Sequence, residues 1–479
     1  MRRLAVALVA GSFAACTLGP DYRRPAVDTP PAYRFEMAAA EDAVNTAWWR
    51  QFQDPVLEGL IAEALAHNLN VQIAAANVER AAAALTGTRS ALYPQFGYSA
   101  DGSRSRGSTT NAQPIPASVP NPQTSYQVVA GASWELDLWG RVRRLSESAR
   151  AQLLATEEAR RGVILSLVGS VASGYVQLRA LDEQLAIAGR TKEAYGELVR
   201  LFELQYRYGV ASRMTVEQAR TQYETAAAAV PALEAQVART ENALSVLLGR
   251  NPGPIPRGAP IGGLALPQVP AGIPSDVLEQ RPDVRQAEQN LVAANAQIGA
   301  AKALYFPTIS LTGVYGTASA ALDGLFKGPS KTWSYGGSLV GPIFTGGAVK
   351  AGVRQAEAAR QAAELGYAAA IQSAFADVDD ALVARTKLVE QLASQERLVV
   401  AAREYERLAQ LQFDGGVTAY TTVLQAQQKL FPAELDLVSY RASLFAALVD
   451  VYMAMGGGWV ATAEEMAVVT VEAPPPAPR

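Results

Sequence analysis

The chain is 479 residues long, 49% hydrophobic and only 18% charged, with a net charge of −3. Charge so near balance gives no electrostatic footing for a nucleic-acid partner. One cysteine and one histidine exclude an internal disulfide, a stapled secreted scaffold and a Cys/His zinc cluster.

Residues 1–15 read as a signal peptide. "MRR" is a short positive segment, and "LAVALVAGSFAA" is too short an apolar run to span a bilayer. It ends at Cys16. "FAAC" resembles a bacterial lipobox, with small residues at the two positions before the cysteine, although Phe13 stands where leucine is usual. Cys16 is therefore expected to be lipidated and to begin segment 16–52; the plainer alternative is a secretory signal in which Cys16 is incidental. Thr17 is not the aspartate that favours inner-membrane retention, so the lipoprotein rule implies sorting to the outer membrane. No other cofactor is implied.

Past the signal, no run of eighteen apolar residues occurs, so any crossing of a membrane would have to use strands. A helix is predicted over about 53–92, ending at Pro94, which cannot donate an interior hydrogen bond. Strand-like segments follow at 95–104 and 125–138, then a very long helix at 142–207, a Gly-containing break, and a returning helix at 212–249. A Pro/Gly-rich stretch, 250–274, reads as a linker. The same order then repeats: helix 275–305, strands 308–317 and 332–344, long helix 347–413, returning helix 418–455. Repeat 1 thus covers 53–249, repeat 2 covers 275–458, and a flexible C-terminal tail runs from 459 to 479. Pro231 and Pro432 lie inside the returning helices and are read as local kinks.

The duplication is visible in the residues. "LQYRYGVASRMTVEQAR" at 204–220 and "LQFDGGVTAYTTVLQAQ" at 411–427 share eight of seventeen positions. Ile164, Val168, Val171, Tyr175, Leu178 and Leu185 step by fours and threes with Asp182 in one slot, as do Ile371, Phe375, Val378, Leu382, Val389, Leu392 and Val399 with Arg385 and Glu396 in two. That is heptad spacing, the mark of helices packed along a supercoiled seam.

In the second half Ile309, Leu311 and Gly313 alternate with Thr308, Ser310 and Thr312, so one face is apolar and one polar. Alternation alone fits a soluble hairpin equally well; the helices give it weight. A helix of about 65 residues is about 100 Å long, which suits a rod or the wall of a tunnel. Four strands cannot close a transmembrane barrel, and open edges are forbidden in lipid. If the strands lie in a membrane, several chains must pool them; two would give eight, a barrel largely filled by side chains, and three about twelve, enough for a channel.

"CTLGPDYRRP", "WWRQFQDPVLEGLIAEAL", "WELDLWGRVRR", "AGIPSDVLEQRPDVRQAE", "ALYFPTISLTG", "GPIFTGG" and "GGGW" together resemble the outer-membrane efflux proteins of TolC and OprM type, particularly the NodT-like lipoprotein branch. The resemblance covers nearly the whole chain. It implies an α+β membrane protein: a homotrimer whose transmembrane β-barrel, four strands per chain, continues as a long α-helical coiled-coil barrel. It implies a passive, gated conduit for small molecules, working with a periplasmic adaptor and an inner-membrane RND-type pump. In such proteins the adaptor docks on the turn motifs, which here are Gly209, Val210, Ala211 and Ser212, and Gly416, Val417, Thr418 and Ala419. The family's acidic constriction falls on Thr422 and Gln425, both neutral, so a gate would use hydrogen bonds or steric closure, with Phe413 and Asp414 as further candidates.

Rival readings differ by specific features. A type I protein-secretion channel would have a similar tube. A lipid-anchored coiled coil without a pore would not need two hairpins at matching places. An enzyme finds little support: His67 lies in a helix as an ordinary surface or packed residue, and Asp377, Asp379 and Asp380 read as a solvated helix face.

Overall fold

The computed structural model describes residues 17–26, 47–110, 116, 118–267, 280–456, 459–461 and 463–464. Cys16, the signal peptide, part of the linker and most of the tail lie outside the described residues. A short 3-10 turn, Trp48–Phe52, is followed by α1 (Pro55–His67), α2 (Leu69–Ser90), β1 (Gln95–Ser105), β2 (Gln123–Leu136), α3 (Arg141–Arg207) and α4 (Arg213–Leu247). The second half gives α5 (Pro282–Ala303), β3 (Thr308–Ser319), β4 (Lys331–Val340), α6 (Ala348–Asp414) and α7 (Tyr420–Ala454). Helices α3 and α6 both have 67 residues, and α4 and α7 both have 35. Each pair starts 207 positions apart, Arg141 against Ala348 and Arg213 against Tyr420.

Two sequence expectations change. The helix expected over 53–92 is two helices, because Asn68 is extended (ψ 126°) and caps α2: its Oδ1 accepts from the backbone N–H groups of Asn70 and Val71. Its amide donates to Leu247 O at 2.8 Å, which fixes the break. The strand expected over 332–344 stops at Val340, opposite Thr308, where its partner β3 begins. Helices α4 and α7 run on through Pro231 and Pro432, so neither proline ends its helix.

The chain forms two compact units that cut across the two repeats. The first comprises residues 1–26, 77–156 and 287–367. It holds one antiparallel sheet in the order β1-β2-β3-β4. Residues 17–24 form a strap on its helical segments. Leu18 N–H donates to Trp139 O, Arg144 Nε to Leu18 O at 3.0 Å, and Asn295 Nδ2 to Pro20 O at 2.9 Å. Arg24 pairs with Glu288 at 3.0 Å. Gly19 (φ +96°) lies against Gly299, where a Cβ would come 2.5 Å from the backbone, so a side chain here would lift the strap off the helix.

The second unit comprises residues 27–76, 157–286 and 368–479. The seam residues Ile164, Val168, Val171, Tyr175, Leu178, Ile371, Val378, Leu382 and Val399 are buried, whereas Val389 is 41% exposed. Trp48, Trp49, Phe52, Tyr452 and Trp459 pack as one aromatic cluster, with Trp48 stacked on Tyr452 at 5.2 Å. Asp54, fully buried, caps α1 through Val56 N–H and also accepts from Tyr175 Oη at 2.8 Å and Ala259 N–H. Asp182, in a seam slot, pairs with Arg179 and Arg257. Asp377 pairs with Arg281 at 2.7 Å, so this carboxylate holds a structural ion pair as well as facing solvent. Helices α3 and α7 each contain an 18-residue stretch apolar enough to cross a bilayer by composition, but 61% and 56% of those stretches are buried within the chain.

Candidate functional site: an apolar sheet and a pair of turns

The strand register sorts the sheet into two unlike faces. Phe96 lies opposite Ala132, Tyr98 opposite Ala130, Trp134 opposite Leu311, and Leu136 opposite Ile309. Tyr315 opposes Trp333, Gly313 opposes Tyr335, and Ile309 opposes Leu339. These residues share one face, because side chains alternate along a strand. The other face carries Gln95, Ser99, Asp101, Gln127, Ser133, Glu135, Ser310, Thr312 and Ser334.

The apolar face is not packed away. Phe96, Tyr98, Tyr315, Trp333 and Tyr335 are all exposed, and Trp333 stacks on Tyr335. Strands of 10 to 14 residues are long enough to cross a bilayer at a tilt. A sheet with one wet face and one aromatic, apolar face suits a barrel wall between lipid and an aqueous lumen. Strands β1 and β4 are its edges.

Each long helix reaches its returning helix through the same capping motif. In the first turn Gly209 has φ +75°, its N–H donates to Tyr206 O, and Val210 N–H reaches Gln205 O at 2.8 Å. In the second turn Gly416 has φ +70°, its N–H donates to Phe413 O, and Val417 N–H reaches Gln412 O at 2.8 Å. Both are Schellman motifs, with glycine supplying the left-handed residue that the geometry requires. Val210 and Val417 point outward, 76% and 78% exposed. Ser212 Oγ accepts from Thr215 N–H as the N-cap of α4, whereas Ala419, at the N-cap of α7, has no side-chain acceptor. Ala211 N–H also reaches Gln205 O.

The remaining sequence candidates have distinct places. Thr418 and Thr422 share a hydroxyl–hydroxyl bond of 2.7 Å. Asp414 is exposed and accepts from Gln410 Nε2 at 2.9 Å, and Gln425 is exposed. Phe413 is half-buried in an aromatic cluster, 6.2 Å from Phe202 and 5.6 Å from Tyr420. Phe202 and Tyr420 were not singled out by the sequence reading. They pack edge-to-face at 4.5 Å and, with Val216, Ala219, Ala409, Val423 and Ala426, form a small core that ties the two turns together. Burial pushes the Tyr420 hydroxyl up to about 12. Among the described residues no group of carboxylates, histidine or cysteine could hold a metal ion.

Residues 60–250 and 273–457 match the outer membrane efflux protein family model. The solvent efflux pump outer membrane protein SrpC of Pseudomonas putida is 38% identical over 93% of this chain and 96% of its own length. The cation efflux system protein CusC of Escherichia coli is 34% identical over 94% and 97%. The open state of the Neisseria gonorrhoeae MtrE outer membrane channel superposes with a TM-score of 0.84 at 34% identity, over 93% of this chain and 99% of that one. The exposed apolar sheet and the twin capped turns are thus features of a chain that belongs to the outer membrane efflux protein family.

Proposed function

We propose that this chain is one of three identical subunits of an outer-membrane channel, the exit duct of a tripartite efflux pump. The observation that carries the reading is the four-stranded sheet with one exposed apolar face and two open edges. In lipid each unsatisfied backbone group costs several kcal/mol, so the edges must pair, and three chains pooling their strands close a barrel of about twelve. The polar faces line the lumen, and the long helices continue the wall into the periplasm. The conduit is passive: an inner-membrane pump of the RND class supplies energy and selects cargo. Relatives named for solvents and for cations agree with a duct that does not itself set the cargo, here small toxic molecules. A periplasmic adaptor docks on the two turns, where Gly209–Ser212 and Gly416–Ala419 present the valines. Gating at the entrance falls to Phe413, Asp414, Thr422 and Gln425 through packing and hydrogen bonds. Cys16 carries the lipid, and the strap that follows it sets Thr17 against Gly140.

The test is restoration of export in cells lacking the gene. The native chain restores resistance to the pump's substrates. Val210→Asp with Val417→Asp assembles a trimer that still conducts ions in planar bilayers but does not restore resistance. Absence of any conductance from the purified native protein contradicts the reading.

A further inference from the structure

The two hairpins follow one register, and that register specifies how one chain meets the next. In the first hairpin Gln95 opposes Ser133; in the second Thr308 opposes Val340. Pro94 and Pro307 immediately precede β1 and β3, so Gln95 corresponds to Thr308, and Ser133 to Val340. Carried along the strands, the correspondence places Ala132 on Leu339, Trp134 on Gly341, Glu135 on Pro342 and Leu136 on Ile343. It continues to Gly140 and Gly347, which have φ +73° and +91°, immediately before α3 and α6.

Within one chain, β2 pairs with β3 as far as Leu136 opposite Ile309. The counterpart seam pairs β4 with β1 of a second copy. We infer that this intersubunit seam repeats the β2–β3 register, so that β4 extends past Val340 to Ile343 and sets Ile343 opposite Phe96 of the next chain. The same step puts Gly341 opposite Tyr98, Leu339 opposite Ala100 and Gly337 opposite Gly102. The inference rests on the ring of identical chains proposed above.

Three observations support it. First, Ile343 is fully exposed and Phe96 and Leu339 are 80% and 66% exposed, whereas Leu136, the counterpart of Ile343, is half-buried beside Ile309. Second, the proposed pairs join apolar face to apolar face throughout; a slip of one residue would set Ile343 against Gln95 or Gly97 and turn one strand inside out. Third, Pro342 falls opposite Gly97, which has open space where a side chain would stand. A slip of two residues keeps the faces matched, so only the repeat distinguishes the register.

Disulfide trapping reads it. Directly opposed residues have Cβ atoms about 4.5–5.5 Å apart, close to disulfide reach, and diagonal neighbours about 7–8 Å. Ile343→Cys with Phe96→Cys, oxidised in membranes, is expected to give a covalent trimer as the main band on a non-reducing gel, as is Leu339→Cys with Ala100→Cys. Ile343→Cys with Tyr98→Cys, displaced by two residues, is expected to give at least tenfold less. The parent chain, whose only cysteine is Cys16, is the blank. Unoxidised, unheated samples report separately whether a trimer exists: its absence from the parent overturns the ring itself. An intact trimer in which the displaced pair links best, or neither opposed pair links, overturns the register. Loss of the trimer from both opposed pairs, with the parent intact, also overturns it, because these positions would then hold more than an edge contact.

Discussion

The two turns share a backbone and differ in what holds them. The first is well capped: Arg207 sits at the C-terminus of α3, where a cation complements the helix dipole, and Ser212 caps α4. At the matching places the second turn has Asp414, whose charge opposes the dipole of α6, and Ala419, which offers no cap. What the second turn has instead is tertiary: Phe413 and Tyr420 packed on Phe202 of the other repeat. One turn is therefore stabilised locally and the other by its neighbour. A pull that separates α6 and α7 from α3 is expected to release the second turn before the first, an asymmetry that fits the gating proposed above.

The largest expected effect comes from removing that neighbour. Phe202→Ala takes away a side chain only 1% exposed and should cost about 3–5 kcal/mol. Hydrogen exchange should quicken at Gly415–Thr418 far more than at Tyr208–Ala211; equal quickening would abolish the contrast. Gly209→Ala and Gly416→Ala should each cost about 1–2 kcal/mol, and equally, since both residues occupy the same left-handed conformation. Ser212→Ala should lose about 1 kcal/mol, and Ala419→Ser should gain a similar amount, read as shifts in the protease susceptibility of each turn. Asp414→Asn should stabilise and Arg207→Gln destabilise by about 0.3–1 kcal/mol, both effects shrinking in high salt.

The smallest effect at neutral pH belongs to Tyr420→Phe, under about 1 kcal/mol, because the buried hydroxyl has no hydrogen-bond partner among the described residues. It becomes visible in alkali. With the folded hydroxyl pushed up to about 12, its contribution is complete below the unfolded value near 10 and is lost as pH rises from there to about 12. Thermal melts at pH 9 and pH 11 should show a drop in the native chain that Tyr420→Phe reduces.

Much of this organisation was legible because the chain states it twice. The offset of 207 between the seam residues Ile164 and Ile371 is the offset between whole helices, and glycine at 209 and 416 announced both turns. Alternation at Thr308–Gly313 gave β3 and its apolar face. The misses have local causes. Asn68 breaks a helix by capping the next one, a signal carried by "HNLN" that apolar periodicity passes over. Residues 341–344 read as strand, but within one chain β4 ends opposite the first residue of β3, and only a neighbouring β1 would carry it further. Phe202 and Tyr420 escaped because they lie where the repeat fails: their counterparts are Ala409 and Arg213, and neither aromatic belongs to the heptad seam. An aromatic residue without a counterpart in the other repeat was the available signal.

The central claim is that three chains pool their sheets into one barrel. Electron microscopy of the detergent-extracted, full-length protein, classified in end-on and side views, tests it most directly. The account predicts a hollow ring with three-fold symmetry end-on and a particle far longer than wide from the side. A solid rod, or a compact particle with the mass of one chain, would contradict it.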